Sequence, residues 1–169
     1  MEHDAHVEPW LRGPLPGVHP LLAPTLRAFE QAREDLAKWT ESLTTEQIWA
    51  RPHGLPSVGL QIRHIGGSTE RLMTYAMGGQ LSASQLAELR TESEPRGGRA
   101  ELLQELDRRL AEAERTIRAL DPAKLTDPRG VGRKQLPTTL GGILIHIAEH
   151  TQRHTGQAIV TAKLAAQLQ

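Results

Sequence analysis

The chain has 169 residues, with 20 Lys plus Arg against 20 Asp plus Glu, 38% apolar residues and no cysteine. That length suits one domain around a single core, and the charge balance gives no overall positive field for nucleic acid or anionic lipid. The missing cysteines exclude disulfides, thiolate metal sites, iron–sulfur clusters and a cysteine nucleophile, so any bound metal must use histidine, carboxylate or water.

The aromatics are Trp10, Phe29, Trp39, Trp49 and Tyr75. A core with so few rings is filled by Leu, Ile, Val and Ala, which suits packed helices. Residues 1–19 carry Pro9, Gly13, Pro14, Pro16 and Gly17 and read as an irregular N-terminal arm, leaving residues 20–169 as the helical domain. His3 and His6 belong to that arm and read as solvated. Met1 to Val7 lacks the apolar stretch of a secretory leader, and no segment approaches the ~20 apolar residues of a membrane span. A soluble cytoplasmic protein is expected.

From Pro20 to Leu43 the apolar positions Leu22, Leu26, Phe29, Ala32, Leu36, Trp39 and Leu43 recur at three- and four-residue steps, which predicts an amphipathic helix. A short turn follows over Glu46 to Ala50, capped by Thr44 or Thr45 and stopped by Pro52. Ser57 is the N-cap of a second long helix ending near Met77 at Gly78-Gly79. Gly66-Gly67 in its middle costs about 1 kcal/mol per glycine relative to alanine, and calls for a close neighbour or a kink. Residues 80–98 form a connector with a short helix over Ser84 to Leu89, long enough to cross a bundle. The third helix shows Leu103, Leu106, Leu110, Ala113, Ile117 and Leu120 on one seam, with charged faces (Glu101, Glu105, Asp107, Arg108, Arg109, Glu112) that read as solvated. Asp121-Pro122 ends it, and a loop with Asp127-Pro128, Gly130 and Gly132 follows. Thr138 or Thr139 caps a fourth helix reaching about Leu164. Four long helices without a strand predict an all-α, four-helix bundle, in which an up-down-up-down order is not required.

The fourth helix carries His146, His150 and His154 at steps of four, so each adjacent pair shares one face. One ion normally takes one pair, since His146 and His154 are separated by about 12 Å of helix rise. At about 100° per residue, His154 falls within about 40° and His150 within about 80° of the core-facing centre, whereas His146 lies roughly 115° away. The inward pair is therefore His150 with His154. A donor from another helix would complete a site, and His64 is the candidate. It lies about 120° from the main stripe of its own helix. Periodicity alone favours a surface position for it; its flank of Leu60, Ser68 and Tyr75 leaves a second neighbour in the bundle as the alternative. His19 and His53 sit beside prolines at helix boundaries and read as loop residues.

The segment Ser57 to Leu72, with Arg63-His64 ahead of small residues, and the segment HIAEHTQRHTGQ over 146–157 resemble the DinB/YfiT-like superfamily, in helix order and spacing over about residues 20–165. Members are four-helix bundles, often dimeric, that hold a divalent metal on one histidine of the second helix and a His-x-x-x-His pair of the fourth. The resemblance implies that His64, His150 and His154 are the ligands and leaves His146 aside, near the site. Thr155 stands where members often carry arginine, so roles that depend on that arginine do not transfer. Gln157 shares the face of His150 and His154, where it could hydrogen-bond a metal-bound water or substrate, or a neighbouring helix.

Three neutral imidazoles suit zinc, nickel or iron, and leave a coordination position for Lewis-acid work. Relatives with known chemistry include thiol-dependent transferases and isomerases using bacillithiol or mycothiol. The resemblance therefore implies a metal-dependent thiol S-transferase or hydrolase acting on a small molecule, with a low-molecular-weight thiol as co-substrate, and a homodimer. A non-catalytic metal-binding or stress-response interaction module is the alternative.

Overall fold

The computed structural model describes residues 7–168; His3 and His6 lie outside them. In chain order the helices are α1 (Ala23–Trp39), α2 (Thr45–Trp49), α3 (Val58–Ala76), α4 (Ala83–Thr91), α5 (Arg99–Arg118) and α6 (Leu140–Ala165), with β1 (Pro128–Val131) and β2 (Leu136–Thr139) ahead of α6. The long helices α1, α3, α5 and α6 form the all-α bundle expected from the periodicity.

Local chemistry sets the ends of these elements. Ser57 Oγ accepts the Leu60 amide at 3.2 Å to start α3, and Thr139 Oγ1 accepts the Gly142 amide at 3.0 Å to start α6. Thr44 with Gln47, and Ser82 with Gln85, form reciprocal capping boxes that start α2 and α4. At the other end of α3, Arg129 of the strand pair donates to the Ala76 carbonyl at 2.6 Å.

Helix α6 packs on α1 and α3, and α5 packs on the same two, so α1 and α3 stand across one diagonal. The chain therefore crosses the bundle between α1 and α3 and again between α5 and α6. The long connector carrying α4 joins two neighbours, α3 and α5. Phe29, Ile48, Ile65, Leu110 and Ile117 are fully buried at the centre, joined by Leu140 and Ile147 from α6.

Several expectations shift. Helix α1 stops at Trp39, and that indole is 36% exposed under the Lys163 ammonium, 4.2 Å from the ring centre. A cation over a half-open ring satisfies an aromatic that the stripe assigns to the core. On α5 the buried leucine at the helix start is Leu102, with Leu103 at the edge. Arg109, on a face read as solvated, is drawn in among Glu70, Glu88 and Glu105. The loop before α6 closes into an antiparallel hairpin with Pro128 opposite Thr139. Its four-residue strands carry no alternating apolar pattern, so periodicity gives no sign of them.

Candidate metal centre

Helix α6 presents His150 and His154 one turn apart toward α3, and α3 presents His64 back. The His150 and His154 ring centres are 4.3 Å apart, and His64 lies 5.0 Å from the first and 4.4 Å from the second. Each ring offers one ligand nitrogen, and the three nitrogens all lie within 4.8 Å of one another. Among the described residues this is the group of three that could hold a metal ion. His64 thus faces α6 from the flank of Leu60, Ser68 and Tyr75, not the solvent that periodicity favoured.

Hydrogen bonds settle which nitrogen of each ring faces the centre. Glu92, 6% exposed at the end of α4, accepts from His64 Nδ1 at 2.7 Å. Burial raises the Glu92 carboxyl's pKa, but the His64 hydrogen bond and the Arg71 charge outweigh it and hold the pKa below the usual value. A carboxylate only accepts, so His64 carries its hydrogen on Nδ1 and a lone pair on Nε2. Buried Gln61 offers Oε1 to His154 Nδ1 at 2.6 Å, with the same consequence. Ser68 donates its hydroxyl to the Ile65 carbonyl, leaving Oγ to accept from His150 Nδ1 at 3.3 Å. All three Nε2 atoms therefore bear lone pairs.

That arrangement tests the fit of a metal. His64 Nε2 and His150 Nε2 stand 3.3 Å apart, where two facing lone pairs repel unless a cation joins them. Two imidazole nitrogens at ~2.0–2.1 Å from a tetrahedral zinc would stand about 3.3 Å apart, so the donor set fits. Burial lowers the His150 pKa to about 4, with help from the neighbouring His154 and His64 charges. Burial, then His64 and Arg153, lowers His154 to about 4 as well, against a smaller raising effect from Gln157. Both rings are neutral and ligand-competent at neutral pH.

The remaining candidates fall outside the cluster. His146 is exposed and pairs through Nδ1 with Glu149 at 2.9 Å, its ring centre 5.4 Å from that of His150. Gln157 is exposed beside His154 and raises its pKa by hydrogen bonding, while His154 Nδ1 is taken by Gln61. Thr155 is buried and donates to the Thr151 carbonyl at 2.8 Å, which makes it part of the core. His19 is an exposed loop residue, and His53 is exposed in a single 3-10 turn over Pro52–Gly54. Sequence reasoning missed Glu92, Arg71, Gln61 and Ser68. For Gln61 and Ser68 a signal existed, polar residues three before and four after His64 on its own helical flank; for Glu92 there was none.

No curated protein matches the chain. The sequence signature of the DinB superfamily, however, matches residues 28–158, a span that takes in His64, Glu92, His150 and His154. The chain belongs to the DinB superfamily.

Proposed function

We propose that the protein is a metal-dependent enzyme of the thiol S-transferase or hydrolase type, with one divalent ion on His64, His150 and His154. The observation that carries this reading is the convergence of three Nε2 lone pairs, each fixed by a hydrogen bond at the far side of its ring. A divalent ion on three neutral imidazoles supplies a Lewis acid with an open position for a water, thiol or carbonyl oxygen.

The chain's own groups hold and orient. Glu92, Gln61 and Ser68 fix the three rings, and all three rings remain partly exposed, so a ligand has access from solvent. With no cysteine in the sequence, a thiol must arrive as a small molecule. The reading carries with it zinc, nickel or iron as the ion, a small-molecule substrate and a low-molecular-weight thiol such as bacillithiol or mycothiol. It also carries a cytoplasmic location and a homodimer, for which the exposed Ile145 and Val160 on the outer side of α6 offer apolar surface.

One observation favours the alternative, a non-catalytic module whose ion ties α3 to α6. A cavity of about 950 Å³ lies between α3, α4 and α5, and another of about 760 Å³ between the N-terminal arm, α1 and α6; none of the three histidines lines either. The test is elemental analysis of untagged protein purified without chelators, followed by assays of thiol conjugation and of ester and amide hydrolysis. Bound metal with metal-dependent turnover supports the enzyme. Bound metal with no turnover across the panel supports the module, and no bound metal sinks both.

A further inference from the structure

We infer that Glu92 is a positioning residue for the metal centre, holding His64 in the tautomer that faces the ion, and that it does so from the connector helix α4. The inference rests on the metal reading above and deepens it. His150 and His154 lean on neutral acceptors, Ser68 and Gln61, whereas His64 leans on an anion. A carboxylate behind a ligating imidazole fixes its tautomer and the orientation of its ring.

Burying that carboxylate costs free energy unless both oxygens are partnered. They are: Oε2 takes the His64 hydrogen, and Oε1 accepts from buried Arg71 at 3.1 Å. Gly67 clears the space, since a Cβ there would lie 2.6 Å from Glu92 Oε1. The helix that delivers Glu92 buries none of its own nine residues. Its ties are polar, from Gln85 to Thr74 at 2.9 Å, from Glu88 to Arg109, and from Arg63 to the Thr91 and Glu94 carbonyls. An Arg71–Glu92 pair would suffice to anchor α4, and nothing in anchoring requires the second oxygen to meet a metal-facing histidine.

The geometry gives a test that simple anchoring would fail. In Glu92→Gln, one amide meets two donors with a single oxygen. Arg71 cannot accept, so it keeps the oxygen and turns the NH2 toward His64. Nδ1 must then accept, and the hydrogen moves to Nε2, where it blocks the metal-facing lone pair. Ring 15N NMR of the metal-free full chain is expected to show His64 passing from the Nδ1–H to the Nε2–H form. Co(II) affinity, read by competition with a chromophoric chelator, is expected to fall about 10- to 100-fold. Adding Arg71→Met frees the amide to turn its oxygen to His64, so the double variant regains the Nδ1–H form and part of the affinity.

If Glu92 only anchors α4, the double variant loses further affinity and the His64 tautomer never changes; that result overturns the inference. Wild-type protein that binds no Co(II) overturns the metal reading instead, and the NMR comparison then decides alone whether Glu92 positions His64. Should Glu92→Gln not fold, Gly67→Ala, which displaces Oε1 from the other side, carries the same two readouts.

Discussion

His64 Nε2 and His150 Nε2 face each other at 3.3 Å with both hydrogens drawn to the opposite side of their rings, by Glu92 and by Ser68. Water can bridge such a pair only by donating to both, whereas a divalent cation satisfies both lone pairs and that of His154 at once. The first prediction follows. Alanine at His64, His150 or His154 lowers affinity for Zn(II) by more than about 100-fold, beyond the ~10- to 100-fold cost of losing an outer partner. Alanine at His146, paired with Glu149 outside the cluster, leaves metal content unchanged. Metal content measured in the four variants checks this, and loss confined to His146→Ala would overturn the assignment.

An ion shared by α3 and α6 binds the folded chain and not the unfolded one, so it adds stability by mass action. At a free Zn(II) concentration of 1,000 times Kd the gain is about 4 kcal/mol. For a chain of this size that raises Tm by roughly 8–16 °C. Thermal unfolding with and without chelator reads the difference directly. An unchanged Tm in wild type, or an equal rise in His150→Ala, would count against binding at these three rings.

How much of this was legible depended on where each group sits. His150 and His154 could be read because i,i+4 spacing on one helix fixes their relation before any tertiary contact forms. His64 could not be placed by periodicity. Its face of α3 is outside the main apolar stripe, and only the packing of α3 on α6 makes that flank a buried one; family resemblance supplied the ligand. Glu92 was invisible because it lies at the end of a connector helix with no apolar face, 28 residues from the histidine it touches. The glycine pair was noticed as a cost, while its cause, the approach of Arg109 and Glu92, required the fold. The hairpin before α6 was missed for want of alternation in strands of four residues.

Those two adjacent glycines should respond differently to alanine. A Cβ on Gly66 would meet Arg109 Cδ at 3.0 Å, a contact that a shift of a few tenths of an ångström relieves. A Cβ on Gly67 would meet Glu92 Oε1 at 2.6 Å and Arg71 Nη1 at 2.8 Å, in a buried and fully partnered group. Alanine offers each site up to about 1 kcal/mol in helix propensity. Gly66→Ala is therefore expected near neutral or slightly stabilising in a urea melt, with metal affinity unchanged. Gly67→Ala is expected to weaken metal binding whatever its effect on the melt. Equal metal affinities in the two variants would remove the steric argument.

Acid stability should carry a signature of α5. The hydrogen bond from Arg108, opposed by partial burial and reinforced by Arg109, lowers the Glu105 pKa to about 2 from its ordinary 4.5. The folded state thus prefers the ionised form, so this contribution is complete above pH 4.5 and is lost as pH falls toward 2. The Glu105 side chain is 46% exposed, and solvent screening keeps the contribution to about 1 kcal/mol or less. In Glu105→Gln the slope of stability against pH between those values becomes shallower, while wild type and variant run parallel above pH 5. Urea melts at several pH values measure both arms, and parallel curves throughout would show that Glu105 adds nothing.

Helix α4 is expected to open before the four long helices of the bundle. Its nine residues include none that are buried, with Leu86 and Leu89 about two-fifths exposed. Apolar burial, the main source of stability elsewhere, therefore contributes little to holding it. What holds it is the set of polar ties ending at Glu92, and part of that set is open to screening by salt. Amide exchange over residues 83–91 should be fastest among the six helices apart from frayed ends and the five-residue α2. It should quicken at high salt. Saturating Zn(II) should slow it, because fixing His64 on an ion strengthens the Nδ1–H bond to Glu92. Protection equal to that of α3 in the metal-free chain would mean that the polar ties alone are enough. Protection indifferent to Zn(II) would separate the connector from the histidines and leave Glu92 as an anchor only.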